Sequence, residues 1–220
     1  MNANYLLKDL GNHHESRVLA FICGSILVAG LSFARVGIAC ELPPLPETAK
    51  PRATYRLDET KSVVRFDAKA FMHDFTGKTS KLLGSIRVGD LDRLPDAEAC
   101  VTIDAASLET GITTRDGIMR DDHLETAKFP TIDFVLKQVE AVSRQSGGWD
   151  FTARGTLSLH GVSREILFPV QARPAEGGVR LAAEVPLKMT DYRIRIPKFL
   201  FFTVEDQVVV RFDVTAKRAQ

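Results

Sequence analysis

Histidines and carboxylates are the side chains of this chain best suited to chemistry. His73, His123 and His160 stand among Asp74, Asp116, Asp121 and Asp122, and imidazole with carboxylate is a common set for binding zinc or moving protons. Their spacing argues against both uses. No two of these histidines lie at ligand spacing, and HExxH does not occur, so no metal site is expected. Nor is there a G-x-S-x-G, a glycine-rich phosphate cradle or a cysteine flanked by a base. Ser158 beside His160 falls on the wet face of a strand-like run and makes no dyad. No catalytic residue is therefore nominated, and the expectation is a protein that is not an enzyme. A secreted metal- or acid/base-dependent enzyme using His73 and His123 stays as the rival. His73 and His160 adjoin turn-like "DFTG" and "GVS", where an imidazole bonds backbone and shapes a loop.

The cations are more suggestive. In "TTRDGIMRDDHLETAKFP", residues 113–130, Arg115, Arg120 and His123 fall within nine residues, and such donors suit a phosphate or pyrophosphate. Arg115 and Asp116 have a plainer use, pairing locally or capping a helix. The basic "YRIRIPK", 192–198, offers a second set of donors, and "FLFF" behind it is either buried strand or, if exposed, a membrane-touching patch.

These residues must be held by something, and the pattern around them is period two. Val64, Phe66, Ala68 and Ala70 share one face. So do Leu82, Gly84, Ile86 and Val88; Ala97, Ala99, Val101 and Ile103; and Ile132, Phe134 and Leu136. The longest run sets Trp149, Phe151, Ala153, Gly155, Leu157 and Leu159 against polar neighbours. Ile166 to Val170, Val179 to Val185 and Val208 to Ala216 complete eight strands. Glycine-bearing "SGG" and "EGG" punctuate them. Strands with one apolar and one polar face build antiparallel sheets, and eight can close into a barrel whose interior holds side chains or one small ligand. Small residues on the apolar face leave room inside. A two-sheet sandwich would produce the same alternation.

The segment 114–126 breaks that alternation. Thr114 is placed to cap a short helix with Asp116 in its first turn, and Ile118, Met119 and Leu124 are available for burial. With Gly117 inside, the helix needs packing to persist. Between two barrel strands it would cover one open end, with "KFP" stopping it.

Length and charge set the wider frame. The chain has 220 residues and a net charge of +1, with no basic tail, so nothing calls for nucleic acid. Residues 17–34 are a basic residue and seventeen uncharged ones, followed by small residues. Residues 1–39 thus read as an export signal, cleaved or retained as an anchor. The proline-rich 40–53 is a spacer, and 54–220 is one domain. Cys40 and Cys100 have neither CxxC nor zinc spacing. An exported protein could pair them in an oxidising compartment, but with Cys40 at the ragged start of the mature chain both are treated as unpaired by default.

Four ordered stretches, "YRLDETKSVVRF", "FMHDFTGKTSKLLGSIRV", "TTRDGIMRDDHLETAKFPTIDF" and "GTLSLHGVSREILFPV", resemble the YceI-like family. The tail from Met189 fits its closing pattern more loosely. The segment between "HL" and "FP" is only "ETAK" here, shorter than in many members. The resemblance implies a lipocalin-like antiparallel barrel, exported to the bacterial periplasm, that binds a polyisoprenoid or similar amphiphilic lipid, with no cofactor besides that lipid. Phe66, Ile86, Val101, Ile132, Phe134, Phe151, Leu157 and Phe212 would then line the cavity. Arg115, Arg120 and His123 would meet a polar head, of quinone or prenyl phosphate type, at the mouth. A filled-core barrel acting as a non-catalytic stress-response module is a further rival. Transient membrane contact fits this reading, and the sequence leaves the oligomeric state open, a homodimer included.

Overall fold

The computed structural model describes residues 40, 42, 44, 53–71, 73–89, 91–199 and 202–219. The export-signal segment, most of the spacer and the middle two residues of "FLFF" lie outside the described residues.

Eleven strands run in chain order: β1 (Ala53–Leu57), β2 (Val63–Ala70), β3 (Phe75–Thr79), β4 (Leu82–Val88), β5 (Glu98–Asp104), β6 (Thr131–Gln145), β7 (Gly148–Leu159), β8 (Val162–Ala175), β9 (Gly178–Lys188), β10 (Lys198–Phe199) and β11 (Phe202–Arg218). They make eight staves. β1 and β2 are one bent stave antiparallel to β11, Tyr55 opposite Arg218 and Val63 opposite Asp213. β3 and β4 form the next, paired to β2 and β1 respectively. From there β4 through β9 pair each with its successor, and β9 pairs β11, closing the ring. The sheet is a closed meander, not a sandwich.

Two connections show local chemistry that fixes their course. At the β7–β8 hairpin, His160 and Gly161 have φ of 51° and 71°, the two positive values a twist-matched two-residue turn requires. Between β1 and β2 the Asp58 carboxylate accepts from the Thr60 backbone and hydroxyl and pairs with Lys217 of β11 at 2.6 Å. That pairing ties the bend of the first stave to the last. Lys217 and the Thr60 bonds hold the Asp58 carboxyl down at about 2.

One edge is left almost unpaired. Beyond β2, β3 meets a lone bridge among the described residues: the Lys78 and Glu109 backbones exchange N–H···O bonds of 2.8 and 3.0 Å. The segment after β5 therefore forms the barrel wall there without being a strand.

Two expectations need correcting. Cys40 and Cys100 are joined in a disulfide with Cα atoms 5.7 Å apart. Cys100 points outward from β5 yet is 2 % exposed, and the bond holds Cys40 against the outer wall. The helix also differs in detail. α1 (Thr113–Ile118) begins one residue before Thr114, with Ile112 at the cap position and no side-chain cap. It then widens into a π-helical turn over Met119–His123. Thr114 lies within the helix and caps nothing; Thr110, further upstream, takes over the local hydrogen bonding.

Candidate functional site

The apolar faces of all eight staves converge on one cavity of about 530 Å³, within the usual size of a small-molecule site. Phe66, Ile86, Val101, Ile132, Phe134, Phe151, Leu157 and Phe212 all line it. Strand alternation puts them there, since each occupies the inward parity of its strand.

Glycines keep the space open. Phe66 lies over Gly77, where an added Cβ would come within 2.1 Å of the ring, and Phe134 lies over Gly155, where a Cβ would sit 2.4 Å away. The rings are thus folded against the wall. Phe168 bridges Phe134 and Phe212, with centroid distances of 5.4 and 5.7 Å, and forms an aromatic band across the lumen.

The two ends differ. At one, Leu94 from the β4–β5 connection packs with Val88 and Val139 against Trp149 and Phe151, making a floor. At the other, α1 and its π turn meet the β9–β11 connection. The His123 Nδ1 lies 2.8 Å from the Arg195 carbonyl, and Arg195 Nη2 donates to the Asp122 carbonyl at 2.9 Å. A carbonyl only accepts, so Nδ1 carries the proton, and in the neutral ring Nε2 is left as an acceptor. Tyr192 and Ile194, both nearly buried, seal the same end against Leu157.

A second tie fixes the lid. His160 Nδ1 is 3.0 Å from the Tyr192 carbonyl, Nε2 is 2.8 Å from the Glu125 carboxylate, and Phe129 stands edge-on to the ring. This is the loop-shaping role expected of His160. His73 stands exposed in the β2–β3 turn. Among the described residues, no three His, Cys, Asp or Glu side chains gather as a metal cluster.

Arg115 and Asp116 are joined through Thr110. Arg115 Nε donates to the Thr110 hydroxyl at 2.7 Å and Nη2 to its carbonyl at 3.0 Å, while the Thr110 hydroxyl and N–H donate to Asp116 Oδ1 at 2.5 and 2.8 Å. Burial would push the Asp116 carboxyl up, but the Thr110 bonds, with Arg120 and Arg115 nearby, hold it below the ordinary carboxylate range. The Arg115 guanidinium lies 4.4 Å over the Phe75 ring, so the lid grips β3 at the weakly paired edge.

Of the three rim cations, Arg115 and His123 line the cavity and Arg120 does not. Arg120 Nη2 donates to the Leu108 carbonyl at 3.3 Å. Lys188 also lines the cavity. Sequence reasoning did not nominate Thr110, Tyr192, Ile194 or Phe168. Alternation could have found Phe168; the others lie in irregular connections without a period.

A closed meander around one apolar cavity, plugged at one end and lidded at the other, belongs to the class of small-ligand-binding barrels. Within that class the chain is a member of the YceI-like family, whose domain model matches residues 55–216. Solved structures agree on the fold. BcnA of Burkholderia cenocepacia superposes with a TM-score of 0.65 at 20 % identity, covering 73 % of this chain and 99 % of its own. A polyisoprenoid binding domain from Saccharophagus degradans, implicated in plant cell wall breakdown, gives 0.58 at 24 %, covering 75 % and 98 %. A mutant Campylobacter jejuni YceI protein with a monobromobimane guest gives 0.50 at 18 %, covering 85 % and 95 %. No curated protein matches the chain.

Proposed function

We propose that the protein is a carrier or store for a polyisoprenoid or similar amphiphilic lipid, of quinone or prenyl phosphate type, and does no catalysis. The carrying observation is the apolar lumen, whose charged lining side chains among the described residues are Arg115 and Lys188, with the His123 imidazole beside them. Family membership and the Saccharophagus degradans domain, described as polyisoprenoid binding, support the same ligand class.

Energetics assign the parts of the ligand. Each isoprene unit buried contributes up to about 4 kcal/mol at ~0.8 kcal/mol per carbon, so several units outweigh any head-group contact. The tail sets affinity. The lid sets which head is accepted, through the Arg115 guanidinium, a donor to carbonyl or phosphate oxygens, and the His123 Nε2, which in the neutral ring takes a bond only from a head-group hydroxyl. The disulfide supports an oxidising compartment, and with the export signal read from residues 1–39 it favours the periplasm.

Mass spectrometry of lipid extracted from natively purified protein tests this. A polyprenyl lipid in stoichiometric amount is expected. Protein that is reproducibly empty, and that takes up no polyprenyl lipid added to it, refutes the reading.

A further inference from the structure

A groove on the outside of the barrel has no part in holding the lumen's contents. Lys61, Arg65, Lys78, Lys81 and Arg180 line it, with Glu109 and Asp213 as its acids. Cations thus outnumber carboxylates there, in a chain whose net charge is only +1.

The ion pairs do not neutralise it. Lys61–Glu176, Lys78–Glu109 and Lys81–Glu59 are 3.7, 3.7 and 3.9 Å long, between exposed flexible side chains, where such pairs contribute little. Arg180 holds Asp213 tightly. Arg65 makes no hydrogen bond or close ion pair among the described residues, and the carboxylate whose charge it feels, Asp213, is already held by Arg180. It stands in register between Arg211 on β11 and Lys78 on β3. Arg211 is paired with Asp67 and Glu184 and Lys78 loosely with Glu109, which reduces but does not remove the repulsion of like charges directly opposite one another. An anion above Arg65 would relieve that repulsion. Guanidinium, ammonium and the hydroxyls of Thr60, Ser62 and Ser80 together suit an oxyanion with several acceptor oxygens.

We propose that this groove is a docking surface for the phosphate groups of an acidic phospholipid bilayer. Exposed aliphatics at its margin favour a bilayer. Leu83, two residues beyond Lys81 on the outer face, is 48 % exposed, and Ile112, three residues beyond Glu109, is 54 % exposed. Cations interspersed with exposed aliphatics are what a surface resting at head-group level presents. The groove also includes Ser107 and Glu109 while Leu108 between them lines the lumen. A bilayer docked here would lie against a stretch of wall that is not a strand. The surface is outside the barrel, so the proposal stands whatever the lumen carries.

Co-sedimentation of natively purified protein with vesicles provides the test, comparing phosphatidylcholine alone with phosphatidylcholine plus phosphatidylglycerol. Binding to the acidic vesicles should be roughly tenfold stronger or more, and should weaken as salt is added. Arg65→Glu should remove that preference and Arg65→Lys keep most of it, with melting temperature and uptake of a fluorescent lumen probe unchanged. If Arg65→Glu is poorly folded, Lys61→Glu, in the turn outside the strands, should lower the preference instead. Equal binding to both vesicles, or an acidic preference that survives in the folded Glu variant, overturns the proposal. So does retention on polyglutamate without vesicle binding, which would point to an acidic protein segment.

Discussion

Thr110 joins two charged residues of the lid, Arg115 and Asp116. Its hydroxyl donates to the buried Asp116 carboxylate and accepts from Arg115. Thr110→Val leaves that carboxylate short of a donor, which costs about 1–3 kcal/mol; urea unfolding of the variant should show the loss. The glycine seats make a sharper test of the hollow lumen. Gly77→Ala must displace the Phe66 ring, and the open direction is inward. We expect a loss of about 1–3 kcal/mol from overpacking, together with weaker uptake of long-chain lipid relative to short. Unchanged chain-length preference would show that Phe66 does not border the ligand.

At the scale of elements, the bends and connections are held by carboxylates. Asp58 fixes the bend between β1 and β2. Asp116 fixes the lid. Asp206 accepts from the Thr190 N–H and hydroxyl at 2.9 and 2.7 Å and steadies the β9–β11 connection. All three are held below the ordinary carboxyl value of 3.8. A depressed carboxyl stabilises the fold in full above its unfolded value and loses that contribution as pH falls through its folded value. Urea midpoints attributable to these groups should therefore be level from neutrality to roughly pH 5 and fall between there and pH 2. A midpoint already declining between pH 7 and pH 5 would need another group. The same scale shows what alternation can reveal. The eight apolar faces were legible because runs such as Trp149–Leu159 keep parity over many residues. β1 and β3 were not: "ATYRL" emerges from the prolines, and "FTGKT" is five residues with a glycine. The π turn uses the same residues an α-helix would, and the Cys40–Cys100 pairing follows no spacing rule. Tyr192 and Ile194 gave no period because they come from a connection.

For the molecule as a whole, the space in the lumen separates a carrier from a filled-core module. Ala153 on β7 is 3 % exposed and lines the cavity. Ala153→Trp should fold with its stability nearly intact while lipid uptake falls severalfold. Destabilisation of about 3 kcal/mol or more, read by urea, would indicate a core with no room. The disulfide closes a loop of 60 residues, so Cys40→Ser should lower stability by about 2–4 kcal/mol under oxidising conditions and by nothing under reducing ones.

The floor of the lumen contains Trp149, the chain's single tryptophan. Its indole is therefore a built-in optical gauge. Its emission colour and intensity should respond to the far end of whatever enters and ignore events at the lid. Titrating homologous chains of increasing length would turn that response into a ruler: short ones leave the spectrum untouched, and the first to shift it marks the depth of the well.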